Sequence, residues 1–296
     1  MKKSIHWFVL FAMVISFSLT GVVSAESIAD KLAQFSEANA NGYIHPAVNA
    51  FGVDMNTGLF RTAKTHKLLG FEIGIKVMMA FVPDKDTKFT TVPLNIADPL
   101  NPGQLITYPS TETATVFGGK DEGATVAGPP DFEFPGGIGV KVLPIVVPQA
   151  SVGLPLSTDL MIRYIPKTEV SNEVGKVGLF GFGLKHNLGQ YFPAPLPIGL
   201  SAMFSYQKFD LGEIISAKAT SFNLLISKGI PFITFYSGIG VEKSSMTISY
   251  TVDNPNLPVN GQKIEFDQNG DNNFRLTVGA SIKMFLFNVN ADYNIG

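Results

Sequence analysis

Any chemistry in this chain has to be built from few reactive side chains. The 296 residues include four histidines and no cysteine. Without cysteine there is no thiolate nucleophile, no disulfide and no sulfur-ligated metal. His6 lies in an apolar leader. His45, His66 and His186 are far apart and lack the HExxH spacing that puts two imidazoles on one helix face for zinc. Asp267–Asn272 (DQNGDN) carries calcium-type oxygens but neither the spacing nor the closing Glu of an EF-hand, and reads as a turn. Gly118-Gly119-Lys120 lacks the upstream Gly and the following Ser/Thr of a phosphate loop. No GxSxG elbow occurs, and the acids are too scattered to pair as in a glycosidase. The reading is therefore no catalytic residue, no metal, no cofactor and no enzyme. A Ser converging on His186 in space would reopen the case for a lipid hydrolase.

The elements that would hold any site are strands. In LPIGLSAMFSY (196–206), Leu196, Ile198, Leu200, Ala202, Phe204 and Tyr206 share one face, while Gly199, Ser201 and Ser205 lie on the other. The same period of two recurs in runs at 69–82, 145–154, 158–165, 176–187, 218–228, 231–252, 273–284 and 287–296. Each run has a greasy face and a face of small polar residues. The charges Glu72, Lys76, Arg163, Lys185, Arg275, Lys283 and Asp292 all fall on the polar face. That face is rich in Gly, Ser, Thr and Asn, which suits a crowded wet interior better than the solvated outside of a sandwich. A charge on a lipid face at mid-membrane costs about 2–4 kcal/mol, so its absence from the greasy face is expected if that face meets lipid.

Composition agrees. Mean hydropathy is +0.21, charged residues make up 16% and Phe occurs 24 times. Yet after the leader no stretch approaches the roughly 20 apolar residues of a membrane helix. High hydropathy without such a helix is the signature of a membrane β-barrel. Lys2 and Lys3, an apolar run to about Val23, and Val23-Ser24-Ala25 make residues 1–25 a signal peptide cut after Ala25. The remaining chain is mildly acidic with no basic patch, which points away from nucleic acid. Connections alternate between short aromatic turns (near 155–157, 188–195, 228–231 and 285–287) and longer polar loops (83–144, 166–175, 209–217 and 254–272). Outer-membrane barrels sort their turns and loops in this way. Nine runs is an odd count, where bacterial barrels close with an even one. The expectation is a missing final strand; an extra strand at Gly58–Ala63 is the alternative repair.

Two helical patterns precede the strands. Ile28, Leu32 and Phe35 mark 26–40, and HPAVNAFG (45–52) reads as a second short turn stopped by Gly52. The segments GYIHPAVNAFG (42–52), MNTGLFRTAK (55–64), GFEIGIKVMMAFVPD (70–84) and GLFGFGLKHNLGQYFP (178–193) resemble a family of uncharacterised outer-membrane proteins of Gram-negative bacteria. That resemblance implies a β-barrel and brings no activity. More distantly, His45-Pro46-Ala47 after a helical N-terminus resembles the hatch of long-chain fatty acid outer-membrane transporters, with His45 where that family has Asn.

The chain is therefore expected to be all-β: an antiparallel transmembrane barrel of about ten to twelve strands, possibly lacking the last. Residues 26–55 would form a helical plug or periplasmic cap, and 56–296 the barrel, with 83–144 a surface loop or a lid. The expected function is transport or binding of hydrophobic small molecules in the outer membrane, among its lipids. Candidate plug or ligand residues are His45, Pro46, Phe51, Leu59 and Phe60. Competing readings are a structural or general-diffusion barrel and a soluble periplasmic β-protein.

Overall fold

The computed structural model describes residues 31–296, apart from 33–34, 36, 99, 102, 172–174 and 253–259. The expected signal peptide and Ile28 lie outside the described residues. The molecule is mostly antiparallel β with one long helix near its N-terminus, α1 (Glu37–Met55). Nine strands follow one another around a curled sheet: β1 (Phe71–Phe81), β8 (Val142–Leu154), β9 (Thr158–Ser171), β10 (Gly175–Asn187), β11 (Gly199–Leu211), β12 (Ile215–Ile230), β13 (Ile233–Thr251), β15 (Phe274–Met284) and β16 (Phe287–Ile295). A tenth, β14 (Lys263–Asn269), pairs with the far end of β13. Every run read from the period-two pattern is a strand of this sheet. Its edges are β1 and β16, and no backbone ladder joins them among the described residues.

Burial across the sheet is the reverse of a soluble protein. Large apolar side chains stand exposed on the convex face along β1 (Phe71, Ile73, Val77), β12 (Phe222, Leu224, Ile226), β13 (Phe235, Ile239, Val241) and β15 (Phe274, Val278, Ile282). On the concave face Arg163, Gln207, Ser201, Ser205, Asn223 and Arg275 are each at most 2% exposed. In β11 this places Phe204 outward and Ser201, Ser205 and Gln207 inward. A contiguous exposed apolar surface of this extent is larger than an ordinary soluble surface carries.

Residues 82–141 are a folded cap. Three small hairpin-like sheets, β2 (Lys88–Thr90) with β5 (Glu112–Ala114), β3 (Leu94–Ala97) with β4 (Leu105–Tyr108), and β6 (Thr125–Val126) with β7 (Phe132–Glu133), share one core. Tyr108, Phe117, Phe132 and Phe134 of the cap pack with Leu32, Phe35, Tyr43 and Val48 of the N-terminal segment and with Ile248 and Tyr250 of β13. Burial of this cluster ties the start of α1 to the cap end of the sheet.

Three expectations need correction. Gly52 does not stop the helix, which runs from Glu37 through Pro46 and Gly52 to Met55. Gly52 is needed for closeness: a Cβ there would lie 2.1 Å from Ser244 Oγ on β13. The polar segments 166–175 and 209–217 are largely strand, because β9–β10 and β11–β12 continue as hairpins past the apolar band. Gly58–Ala63 is not a strand, and residues 56–66 lie against the concave face rather than in the wall. The wall, expected as a barrel possibly lacking its last strand, is observed as a curled sheet with two free edges among the described residues.

Gly52→Ala is expected to lower stability by about 1–3 kcal/mol through overpacking, and Ser244→Gly in the same chain to restore part of it. Thermal unfolding in detergent micelles measures both; additive losses would rule out the close contact.

Candidate functional site

The concave face is polar, and its polar groups are spent on the N-terminal segment. An α-helix leaves its last four carbonyls without intrahelical donors and carries partial negative charge there. Here α1 ends against two buried arginines from distant strands. Arg163 on β9 donates from Nη1 to Met55 O at 3.0 Å and from Nη2 to Thr57 O at 2.7 Å. Its remaining bonds go to Gln149 Oε1 at 2.8 Å and Gln207 Oε1 at 3.0 Å. Gln207 also donates to Met55 O. Arg275 on β15 donates to Val53 O at 2.8 Å and to Thr57 Oγ1 at 2.7 Å, and its other side is held by Glu242 at 2.6 and 3.0 Å. Among the described residues Arg163 has no carboxylate within ion-pair distance, so the helix terminus and neutral oxygens are its counter-dipoles.

Below this brace the chain continues along the wall. Leu59, Phe60 and Ala63 pack with Met161, Met203, Leu225 and Tyr236. Lys185 Nζ donates to Thr62 O at 3.3 Å and Lys64 O at 2.8 Å while pairing with Asp159 at 3.1 Å. Ser227 Oγ accepts from Ala63 N at 3.0 Å, and Asp159 accepts from His66 N at 2.8 Å. Residues 53–66 are thus bound through their own backbone. Such contacts require buried donors and acceptors to meet partners, and the segment supplies them.

The five candidate residues are strung along this path. His45 is half-buried at the cap end, with Nε2 2.8 Å from Asp271 Oδ2 and Nδ1 2.6 Å from Gln268 Nε2. The bonds of His45 and Asn49 to Asp271 hold its carboxyl below the usual carboxylate range. Pro46 is buried within α1. Phe51 packs against Phe209 with the rings tilted by 53° and their centroids 4.7 Å apart. Leu59 and Phe60 belong to the lower cluster, where Phe60 meets Tyr236 edge-on at 5.9 Å. Only Leu59 and Phe60 share a neighbourhood. His186 faces Thr158 Oγ1 at 2.8 Å and Tyr191 OH at 2.9 Å, and no Ser approaches it in these contacts. Among the described residues no three His, Asp or Glu side chains gather as a metal set.

The wall has an interruption that pattern reading missed. The β1–β8 ladder runs through Val142–Val152, but β8 pairs β9 only from Gln149 to Leu154. Above Gln149, β9 continues against β10 alone. Pro144 and Pro148 share one parity in β8 and have no N–H to donate. Since the ladder to β1 passes both, the missing donors fall on the β9 side. Behind this split the concave face turns apolar: Met78, Val147, Ile165, Val177 and Leu179 are buried together, with Phe209 against them. Phe51 therefore reaches this patch through Phe209. The sequence signal was available in Pro-Ile-Val-Val-Pro (144–148).

The profile of a family of unknown function, DUF6588, matches residues 1–296. The chain belongs to this family. No curated protein and no solved structure matches it. For this DUF6588 member the interior, not a relative, has to supply the functional reading.

One interior group stands out electrostatically. Asp54, beside the arginine brace, is 1% exposed, and among the described residues neither carboxylate oxygen has a partner within hydrogen-bond geometry, the Ala80 backbone N–H lying nearby but outside it. Burial pushes its carboxyl up to about 8, outweighing the Ala80 N–H and Arg275. A folded-state value raised above the unfolded one means stability is full below the unfolded value and is lost as pH climbs through the folded one. Asp54→Asn stays neutral, so the melting-temperature difference between variant and wild type is expected to widen in the variant's favour from pH 4 to pH 9. A constant difference across that range would mean Asp54 is not buried as described.

Proposed function

We propose that this protein is an outer-membrane β-barrel that binds or passes hydrophobic small molecules, with residues 31–66 as a plug along its lumen. The convex apolar face supports a lipid neighbour, and the tight turns 231–232 and 285–286 against the protruding cap end support an asymmetric membrane placement. The observation that carries the cargo is the split between β8 and β9. It lies in front of a buried apolar patch, Met78, Val147, Ile165 and Leu179, next to Phe51 and Phe209, where parting of β8 from β9 would expose an apolar path. A plug bonded to the wall along 53–66 argues against a wide water channel for general diffusion, and the His186 ring is held by Thr158, Tyr191 and Gln190.

The membrane reading is tested by charge on the convex face. Leu224→Arg, mid-strand on β12, is expected to reduce folding into lipid vesicles by about 2–4 kcal/mol, and Phe285→Arg, in a turn, by about 1 kcal/mol or less. Equal effects at both sites would contradict a bilayer-spanning wall.

The cargo reading is tested in proteoliposomes. Transfer of a fluorescent long-chain fatty acid is expected, without swelling in sugars. Pro144→Val with Pro148→Val restores two N–H donors to β8 and should close the split, lowering transfer several-fold at unchanged or raised melting temperature. Sugar swelling with no fatty-acid transfer would favour the diffusion barrel instead.

A further inference from the structure

Lys76 differs from the other buried cations of the concave face. Arg275 is paired with Glu242, Lys185 is paired with Asp159, and Arg163 spends its guanidinium on four oxygens. Lys76 is 9% exposed, and among the described residues its Nζ makes one bond, to Asn290 Oδ1 across the seam between β1 and β16, at 3.4 Å. An ammonium carries three donors, and a good N–H···O bond is about 2.9–3.0 Å long. A charge taken out of water is costly unless it is paired and hydrogen-bonded.

The carboxylates that act on Lys76 are already committed. Its charged surroundings are Glu72, Asp292, Arg61 and Arg163. Both oxygens of Glu72 accept from Arg61 Nε, at 2.9 and 2.7 Å. Asp292 accepts from Tyr236 OH at 2.9 Å through one oxygen and from Asn294 Nδ2 at 2.7 Å through the other. With Lys76 included, three cations meet two carboxylates, so one positive charge is left over. Room lies beside it. Glu72, Gly74 and Lys76 share one face of β1, and a Cβ on Gly74 would meet nothing within 4 Å. Arg61, held on Glu72 at one side of this space, bonds through Nε and Nη2. Its Nη1 makes no bond among the described residues.

We propose that the space over Gly74 is a binding site for one carboxylate, held between Lys76 Nζ and Arg61 Nη1. Charge-assisted donors from two sides suit the two oxygens of that group. The single surplus charge selects a monoanion over a phosphate dianion, and glycine at 74 keeps the floor clear. A small soluble acid and the head of an anionic amphiphile offer the same group, so chain length separates these two sources in the test. The site does not rest on the cargo reading.

The full chain, folded in micelles of an uncharged detergent, is melted in sodium acetate and in sodium chloride of equal ionic strength. A ligand that binds only the native state raises the melting temperature as its concentration rises. Acetate at ~100 mM is expected to raise it by about 3 °C or more above chloride. Lys76→Met should melt no lower than wild type without acetate, since it removes an unpaired buried charge, and should lose the acetate increment. Gly74→Leu should lose the increment by filling the space while Lys76 stays in place, with Gly74→Val as the second filler if that variant does not fold. Octanoate acting at the same concentration as acetate assigns a soluble acid; octanoate acting at a tenfold lower one assigns an amphiphile head. No acetate increment over chloride would overturn the proposal. So would an increment that survives in Lys76→Met or in the filled variants. Acetate binding without fatty-acid transfer would remove the cargo reading and leave this site standing.

Discussion

The interior is organised by the docking of one helix terminus on two buried guanidinium groups. Arg163 and Arg275 come from strands on different parts of the sheet and converge on carbonyls of residues 53–57. Charged donors in a low-dielectric interior are strong partners for a helix C-terminus, and expensive to bury alone. Each therefore fixes the other: the arginines are tolerable inside because the helix ends there, and the helix ends there because they do. Glu242, Gln149 and Gln207 complete the coordination and lock the orientation of both side chains. The downstream path of residues 58–66, and the positions of Leu59 and Phe60, follow from that anchor.

With the polar groups consumed inside, the apolar ones are left to face outward. The sheet keeps its alternation while exchanging the usual destinations of its two faces. Small residues on the concave side let the helix approach, as at Gly52 against Ser244, and large ones on the convex side meet the surroundings. The cap is the exception. There the concave residues of the protruding strands, Ala217, Ala219, Met246 and Ile248, are apolar and join the aromatic cluster from 82–141. The concave side is thus polar in its middle and apolar toward the cap, and the β8–β9 ladder ends at that transition, beside Pro144 and Pro148.

Much of the wall was legible because strand periodicity is a local property. The runs at 176–187 and 273–284 became β10 and β15 with shifts of a residue or so, and the odd strand count survives in the two free edges. Connections were harder. Polarity at 166–175 and 209–217 reads as loop, yet the described residues there ladder as hairpins beyond the apolar band, where the outer face no longer carries large apolar side chains. The helix was underestimated because glycine and proline weaken propensity, and a packing reason for Gly52 exists only once Ser244 is beside it. Charges such as Arg163 were seen to share a face. That they grip a helix end depends on contacts more than one hundred residues apart, for which no local pattern exists.

The free seam between β1 and β16 also bears on how the molecule can be assembled. A helix bound inside a sealed cylinder would have to be threaded lengthwise through it, or wait for the cylinder to form around it. A sheet that ends in two unjoined edges imposes neither order. The N-terminal segment can settle into the concave side while the wall is still a trough, and the strands then wrap it one hairpin at a time, each pairing mainly with its neighbour in sequence. Only β1 must wait, since its partner β8 arrives sixty residues later, after the cap has been made.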